Sequence, residues 1–118
     1  MYVVIFRARI AQLDSRYSAL ATELRDRALN QFGCREFVAL TEGQDEVALS
    51  YWDSEADILA WKRDSEHLSA QRLGRQAWYQ HYSVEVAQIH RRYRSDAADA
   101  GDRGSSGLPG QSGSSPLG

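Results

Sequence analysis

The spacing of apolar residues switches between strand-like and helix-like along the chain, and the order of those switches leaves few folds open. Tyr2 to Arg9 alternates, with Tyr2, Val4, Phe6 and Ala8 on one face and Val3, Ile5, Arg7 and Arg9 on the other. Asp14, or Ser15 beside it, offers an N-cap. Leu13, Tyr17, Leu20, Leu24, Ala28 and Phe32 then recur at helical spacing, and Gly33 follows as the expected C-terminal glycine. Cys34 to Glu42 and Glu46 to Asp53 alternate again around a turn cluster, Thr41 to Asp45, which predicts a hairpin. Ser54-Glu55-Ala56-Asp57 resembles a capping box and opens a second helix through Ile58, Leu59 and Trp61. Asp64-Ser65 offers another cap, so the helix is expected to bend there and resume to about Gln80. Tyr82 to Tyr93 reads as a long last strand. The order βαββαβ predicts an α+β, ferredoxin-like domain: an antiparallel four-stranded sheet with both helices on one face.

Composition marks where this domain stops. Residues 95–118 hold six of the nine glycines, both prolines and only two large apolar residues, Leu108 and Leu117. Such a stretch buries too little to offset backbone entropy, so residues 1–94 are expected to fold and 95–118 to form a flexible tail. Setting aside Arg103, Asp96, Asp99 and Asp102 leaves 13 basic and 13 acidic side chains in the domain. That balance argues against nucleic acid as a partner. The apolar run Val3 to Phe6 is too short to span a membrane or serve as a signal peptide. Cys34 is the only cysteine, which excludes an intrachain disulfide and a thiolate zinc cluster and suggests a cytoplasmic protein.

Both sheet faces carry apolar side chains, including Val3, Ile5 and either Tyr51 or Trp52 on the face away from the helices. A sheet covered on one side is expected to be polar on the other. The expected cover is a second copy of the chain, sheet against sheet, in a symmetric homodimer.

In a helix resuming at Ser65, His67, Gln71, Arg75 and Tyr79 would form one slowly drifting row, bordered by Gly74 and Trp78. Imidazole, amide, guanidinium and phenol between indoles suit a partly enclosed cleft. The plainer reading makes Arg75 and Glu66 surface groups, Tyr79 an edge residue and the tryptophans core. His67 has the acid–base chemistry for proton transfer, or is a hydrogen-bonded structural histidine. His67, His81 and His90 lack metal-ligand spacing, so no metal site is expected. No GxSxG, P-loop or GxGxxG pattern is present.

Over about residues 2–93 the chain resembles the antibiotic biosynthesis monooxygenase (ABM) domain family, a dimeric α/β-barrel group. The resemblance rests on Ser50-Tyr51-Trp52, Ser54-Glu55, Trp61, Glu66-His67, Ala70-Gln71, Gly74-Arg75, Trp78-Tyr79, Tyr82 and Arg92-Tyr93. It implies a homodimer acting on a small molecule. In the haem-degrading branch a helix-two tryptophan is followed ten residues later by an iron-ligating histidine. Trp61 matches the tryptophan, Gln71 stands at the histidine position, and strand one offers Phe6 and Arg7 where that branch has asparagine. An amide is not an ordinary proximal ligand. The branch that oxidises aromatic polyketides with O2 uses neither metal nor flavin, and Trp61, Arg75 and Tyr79 supply its side-chain types. The resemblance thus implies a cofactor-independent monooxygenase for a small aromatic or enolisable compound. His67 is cast as base, Arg75 and Gln71 as oxyanion donors, and Trp61, Trp78 and Tyr79 as substrate-binding walls. The alternatives are a non-catalytic small-molecule-binding or stress-response module and, third, haem binding or degradation.

Overall fold

The computed structural model describes residues 1–11, 15–73 and 78–95. Its elements are β1 (Tyr2–Ile10), α1 (Ser15–Gln31), β2 (Glu36–Glu42), β3 (Asp45–Trp52), α2 (Glu55–Leu73) and β4 (Tyr79–Gln88). The strands form one antiparallel sheet in the order β2-β3-β1-β4, with the two helices on one face, as the alternating periodicities predict. The Asp14 cap, Gly74, Arg75 and the tail from Asp96 onward lie outside the described residues.

The register decides what each face carries. Val4 packs with Ala28 of α1, Ile58 of α2 and Trp52, so the even-numbered side chains of β1 face the helices. Tyr2 pairs with Trp52 and Val4 with Ser50, which puts Trp52 on the helix face and leaves Tyr51 on the other. Trp52 is fully buried, and its indole N–H donates to Ser50 Oγ at 2.8 Å. That bond satisfies two polar groups in a core where either would be costly alone.

Local chemistry sets most of the element ends. Gly33, at φ +86°, adopts a left-handed conformation that lets the Cys34 N–H reach the Ala28 carbonyl at 2.9 Å. A Cβ there would come within 3.2 Å of the Asp57 carboxylate. Gly33→Ala is therefore expected to lower stability by about 1–2 kcal/mol, read as a shifted urea midpoint at constant m. Ser54 Oγ accepts from the Asp57 N–H at 3.2 Å, the predicted cap of α2. Gly43 and Gln44 form the two-residue loop that joins β2 to β3.

Two expectations fail in the second half. α2 runs unbroken through Asp64 and Ser65, because Asp64 caps nothing: Arg27 of α1 reaches across and binds its carboxylate at 3.0 Å. Glu23 joins the same contact through Arg27 at 3.0 Å and Arg72 at 2.8 Å, so charge chemistry locks α1 to α2. Nor does the helix resume to Gln80. Ala11 N–H donates to the Trp78 carbonyl at 2.8 Å and Tyr79 pairs with Ile10, so β1 draws this backbone into the sheet. At the far end β4 stops at Gln88, short of Tyr93, and the Ile89 N–H donates to the Met1 carbonyl at 2.9 Å. Past that point Arg92 lies over the Tyr51 ring at 5.1 Å and bonds Glu36 at 3.3 Å.

The face away from the helices carries Val3 and Ile5 of β1, Val38 and Leu40 of β2, and Val47 and Leu49 of β3, all half-buried by one another. At one edge Arg92 and Arg94 reach over it, Arg92 onto the Tyr51 ring and both to the Glu36 carboxylate. No helix among the described residues is long and apolar enough to cross a membrane.

Candidate functional site

Among the described residues the helices pack over β2 and β3 and leave β4 beyond Tyr79 bare on the same face. Val86 pairs with Val4, Val84 with Phe6 and Tyr82 with Ala8, so all three point toward the helix side. None is covered: Tyr82 is 63%, Val84 49% and Val86 46% exposed. An apolar strip thus runs along β4, on the face where a helix-covered sheet is ordinarily shut.

A bulge sharpens one end of this strip. Arg9 pairs with His81 and Ile10 with Tyr79, leaving Gln80 without a partner. The extra residue turns Tyr79 onto the same face as Tyr82, three positions away, which strict alternation forbids. Both rings then meet Phe6, Tyr79 edge-on at 5.5 Å and Tyr82 stacked at 6.0 Å. Behind them stand Tyr17 of α1 and the buried Trp78, their rings stacked at 6.1 Å. The Arg16 guanidinium lies over the Trp78 ring at 5.1 Å.

Polar groups converge at this end as well. Tyr79 Oη bonds Tyr17 Oη at 3.3 Å, and Tyr17 Oη bonds Glu46 Oε1 at 2.5 Å. Glu46 pairs with Ala8, which places its carboxylate on the helix face. Burial foremost, then the bonds to Glu46 and Tyr79, push the Tyr17 phenol far above its ordinary pKa; burial raises Tyr79 as well. Both stay protonated at neutral pH. Trp78 is 3% exposed, and its indole N–H has no hydrogen-bond partner among the described residues.

Of the six residues singled out from sequence, the structure brings Trp78 and Tyr79 together here. His67 and Gln71 are exposed on α2, and Tyr79 stands on a strand, so the four-residue row does not form. Arg75 lies outside the described residues. Trp61 packs elsewhere, against Trp52 at 5.3 Å and Phe37 at 6.1 Å, with its N–H donated to the Leu24 carbonyl at 3.1 Å. It is a core residue of the other end of the domain. Sequence reasoning missed Glu46, Tyr17, Phe6 and Tyr82 as a group. One signal was present: Glu46 shares the alternation phase of Ala48, Ser50 and Trp52, a carboxylate in step with a buried face.

Among the described residues no three His, Cys, Asp or Glu side chains are placed to hold a metal ion. Cys34 is buried, with its thiol pKa raised by that burial, as suits a small core residue.

An α+β domain with one bare, aromatic-lined sheet edge beside its helices is the class that this fold and site define. No family model matches the chain. The protein YqjZ of Bacillus subtilis (strain 168) is 33% identical over 91 residues, covering 76% of this chain and 80% of YqjZ. Jasmonate monooxygenase ABM of Pyricularia oryzae is 30% identical over 101 residues, covering 81% of this chain but 46% of the fungal protein, so the chain spans about half of that relative. Among solved structures, a point mutant of SnoaB, a cofactor-independent oxygenase from Streptomyces nogalater, superposes with a TM-score of 0.64 at 11% identity, over 80% of this chain and 97% of SnoaB. A point mutant of MhuD, with two manganese protoporphyrin IX bound per active site, gives a TM-score of 0.50 at 14% identity, over 79% and 99% of the two chains. The chain belongs to one family with YqjZ, and its fold is that of the solved antibiotic biosynthesis monooxygenase (ABM) structures. For haem, the residues present do not fit: Gln71, at the position of the iron-ligating histidine, is an exposed amide.

Proposed function

We propose that this protein is a monooxygenase that oxidises a small aromatic or enolisable compound with O2, and that the substrate lies on the β4 strip. The observation that carries this reading is the bulge-aligned pair Tyr79 and Tyr82 beside Phe6. Together they give an exposed aromatic surface next to a hydrogen-bonded carboxylate. The fold shared with SnoaB and the likeness to a fungal monooxygenase support it.

The chemistry asks little that such a surface lacks. Triplet O2 reacts slowly with closed-shell organic molecules, and an electron-rich carbanion or phenolate lowers that barrier by giving up an electron. For a methylene that becomes a carbonyl, one oxygen atom enters the substrate and the other leaves as water with the two hydrogens. The protein's part is to hold the flat substrate, remove a proton and stabilise the anion. Phe6, Tyr79 and Tyr82 form the walls with Trp78 buried behind them, and Arg75 is the proposed anion partner. His67 and Gln71, exposed on α2, are given no part. A second copy of the chain packs on the face of Ile5 and Leu49, and the lone buried thiol suits a reducing cytoplasm.

Oxygen uptake by the purified protein with anthrone as probe tests this. Consumption should scale with protein, and Arg75→Ala should slow it about ten-fold or more, while His67→Ala leaves it unchanged. Val84→Glu, placing a charge on the strip at a half-exposed position, should cut kcat/KM by about ten-fold with little change in Tm. No uptake, with binding still visible as quenched tryptophan fluorescence, would identify a binding module instead. Uptake indifferent to Val84→Glu would move the substrate elsewhere.

A further inference from the structure

We infer that Tyr79, Tyr17 and Glu46 form a proton relay in which Tyr79 meets the acidic hydrogen of the bound substrate and Glu46 receives the proton. This rests on the monooxygenase reading for its substrate and goes beyond it in assigning the base.

The direction of the chain follows from donor chemistry. A carboxylate can only accept, so Tyr17 donates to Glu46, and the Tyr17 oxygen must accept from Tyr79. Tyr79's own hydrogen is therefore turned away from the strip, and its oxygen lone pairs are left to accept from whatever lies over Phe6 and Tyr82. Were the order reversed, with Tyr79 donating outward, the corner would act as an acid.

Proton removal then proceeds without charge on either tyrosine. The substrate hydrogen bonds to the Tyr79 oxygen as the Tyr79 hydrogen passes to Tyr17 and the Tyr17 hydrogen passes to Glu46. Three bonds to hydrogen break and three form; the substrate is left as its anion and Glu46 as a neutral acid. Burial holds both phenols protonated at rest, so the negative charge waits on the carboxylate and not on a tyrosine.

The test separates proton removal from oxidation. Anthrone is incubated with the protein in D2O without oxygen, and loss of its methylene proton signal is followed by NMR. The wild-type chain should accelerate exchange; Glu46→Gln and Tyr79→Phe should each lose about ten-fold or more, and Glu46→Asp should recover part of it, with anthrone affinity by tryptophan quenching unchanged. Tyr79→Phe guards against a Glu46 variant that folds poorly. Exchange at the wild-type rate in Glu46→Gln, or no exchange above background in the wild type, overturns the relay. Exchange that is lost in both variants, from a protein that consumes no oxygen with anthrone, supports the relay and removes the monooxygenase reading. Oxygen uptake insensitive to Glu46→Gln does the opposite.

Discussion

Trp52→Ala is expected to lower stability by about 3–5 kcal/mol, enough to leave a small domain largely unfolded at ambient temperature. The indole is fully buried and packs against Trp61 at 5.3 Å in the cluster that also holds Val4, Ala28, Cys34 and Ile58. Truncation leaves a cavity between the sheet and both helices. It also strips the Ser50 hydroxyl of its partner in a site that water does not reach. Pairing Trp52→Phe with Ser50→Ala separates the two costs. The double variant should be more stable than Trp52→Phe alone, because it removes the orphaned hydroxyl. Urea denaturation of the set gives both numbers, and a Trp52→Ala midpoint close to wild type would show that this core is not where stability resides.

The second large effect concerns the opposite face. Val38, Leu49 and Ile5 form one row across β2, β3 and β1, with Leu40 and Val47 in the next, and no helix among the described residues lies over them. If a second copy covers that face, Ile5→Glu with Leu49→Glu buries four carboxylates at one symmetric contact. Each unpaired buried charge costs about 3 kcal/mol or more, so dimer affinity should fall by at least a hundred-fold. Light scattering should find a dimer for the wild type and a folded monomer for the variant. A wild-type chain that is monomeric at micromolar concentration, or a variant that remains a dimer, would contradict the sheet-to-sheet assembly.

How far the sequence could be read depended on whether neighbours along the chain or across the fold set each element. β1, α1 and the β2–β3 hairpin were legible because alternation, helical spacing, Gly33 and the 43–44 turn all act within a few residues. The reading slipped at Asp64, where a residue that ordinarily caps helices is held by Arg27, 37 positions away. It slipped again at Tyr79. Four-residue spacing from His67 through Arg75 to Tyr79 mimics a helical row, but Ile10 and Ala11 of β1 claim that backbone, a pairing that local pattern does not encode. The site was half visible for the same reason. Trp78 and Tyr79 stood out by type, whereas Tyr17, Glu46 and Phe6 join them only through the fold and the bulge at Gln80.

Methyl-resolved NMR gives the most direct test of where this protein holds its substrate. Titrated with anthrone, the methyls of Val84 and Val86 should shift and saturate together, while those of Val3, Ile5 and Leu49 on the opposite face stay fixed. Shifts confined to that opposite face, or none on β4 at saturating anthrone, would contradict the assignment of the strip as the substrate site.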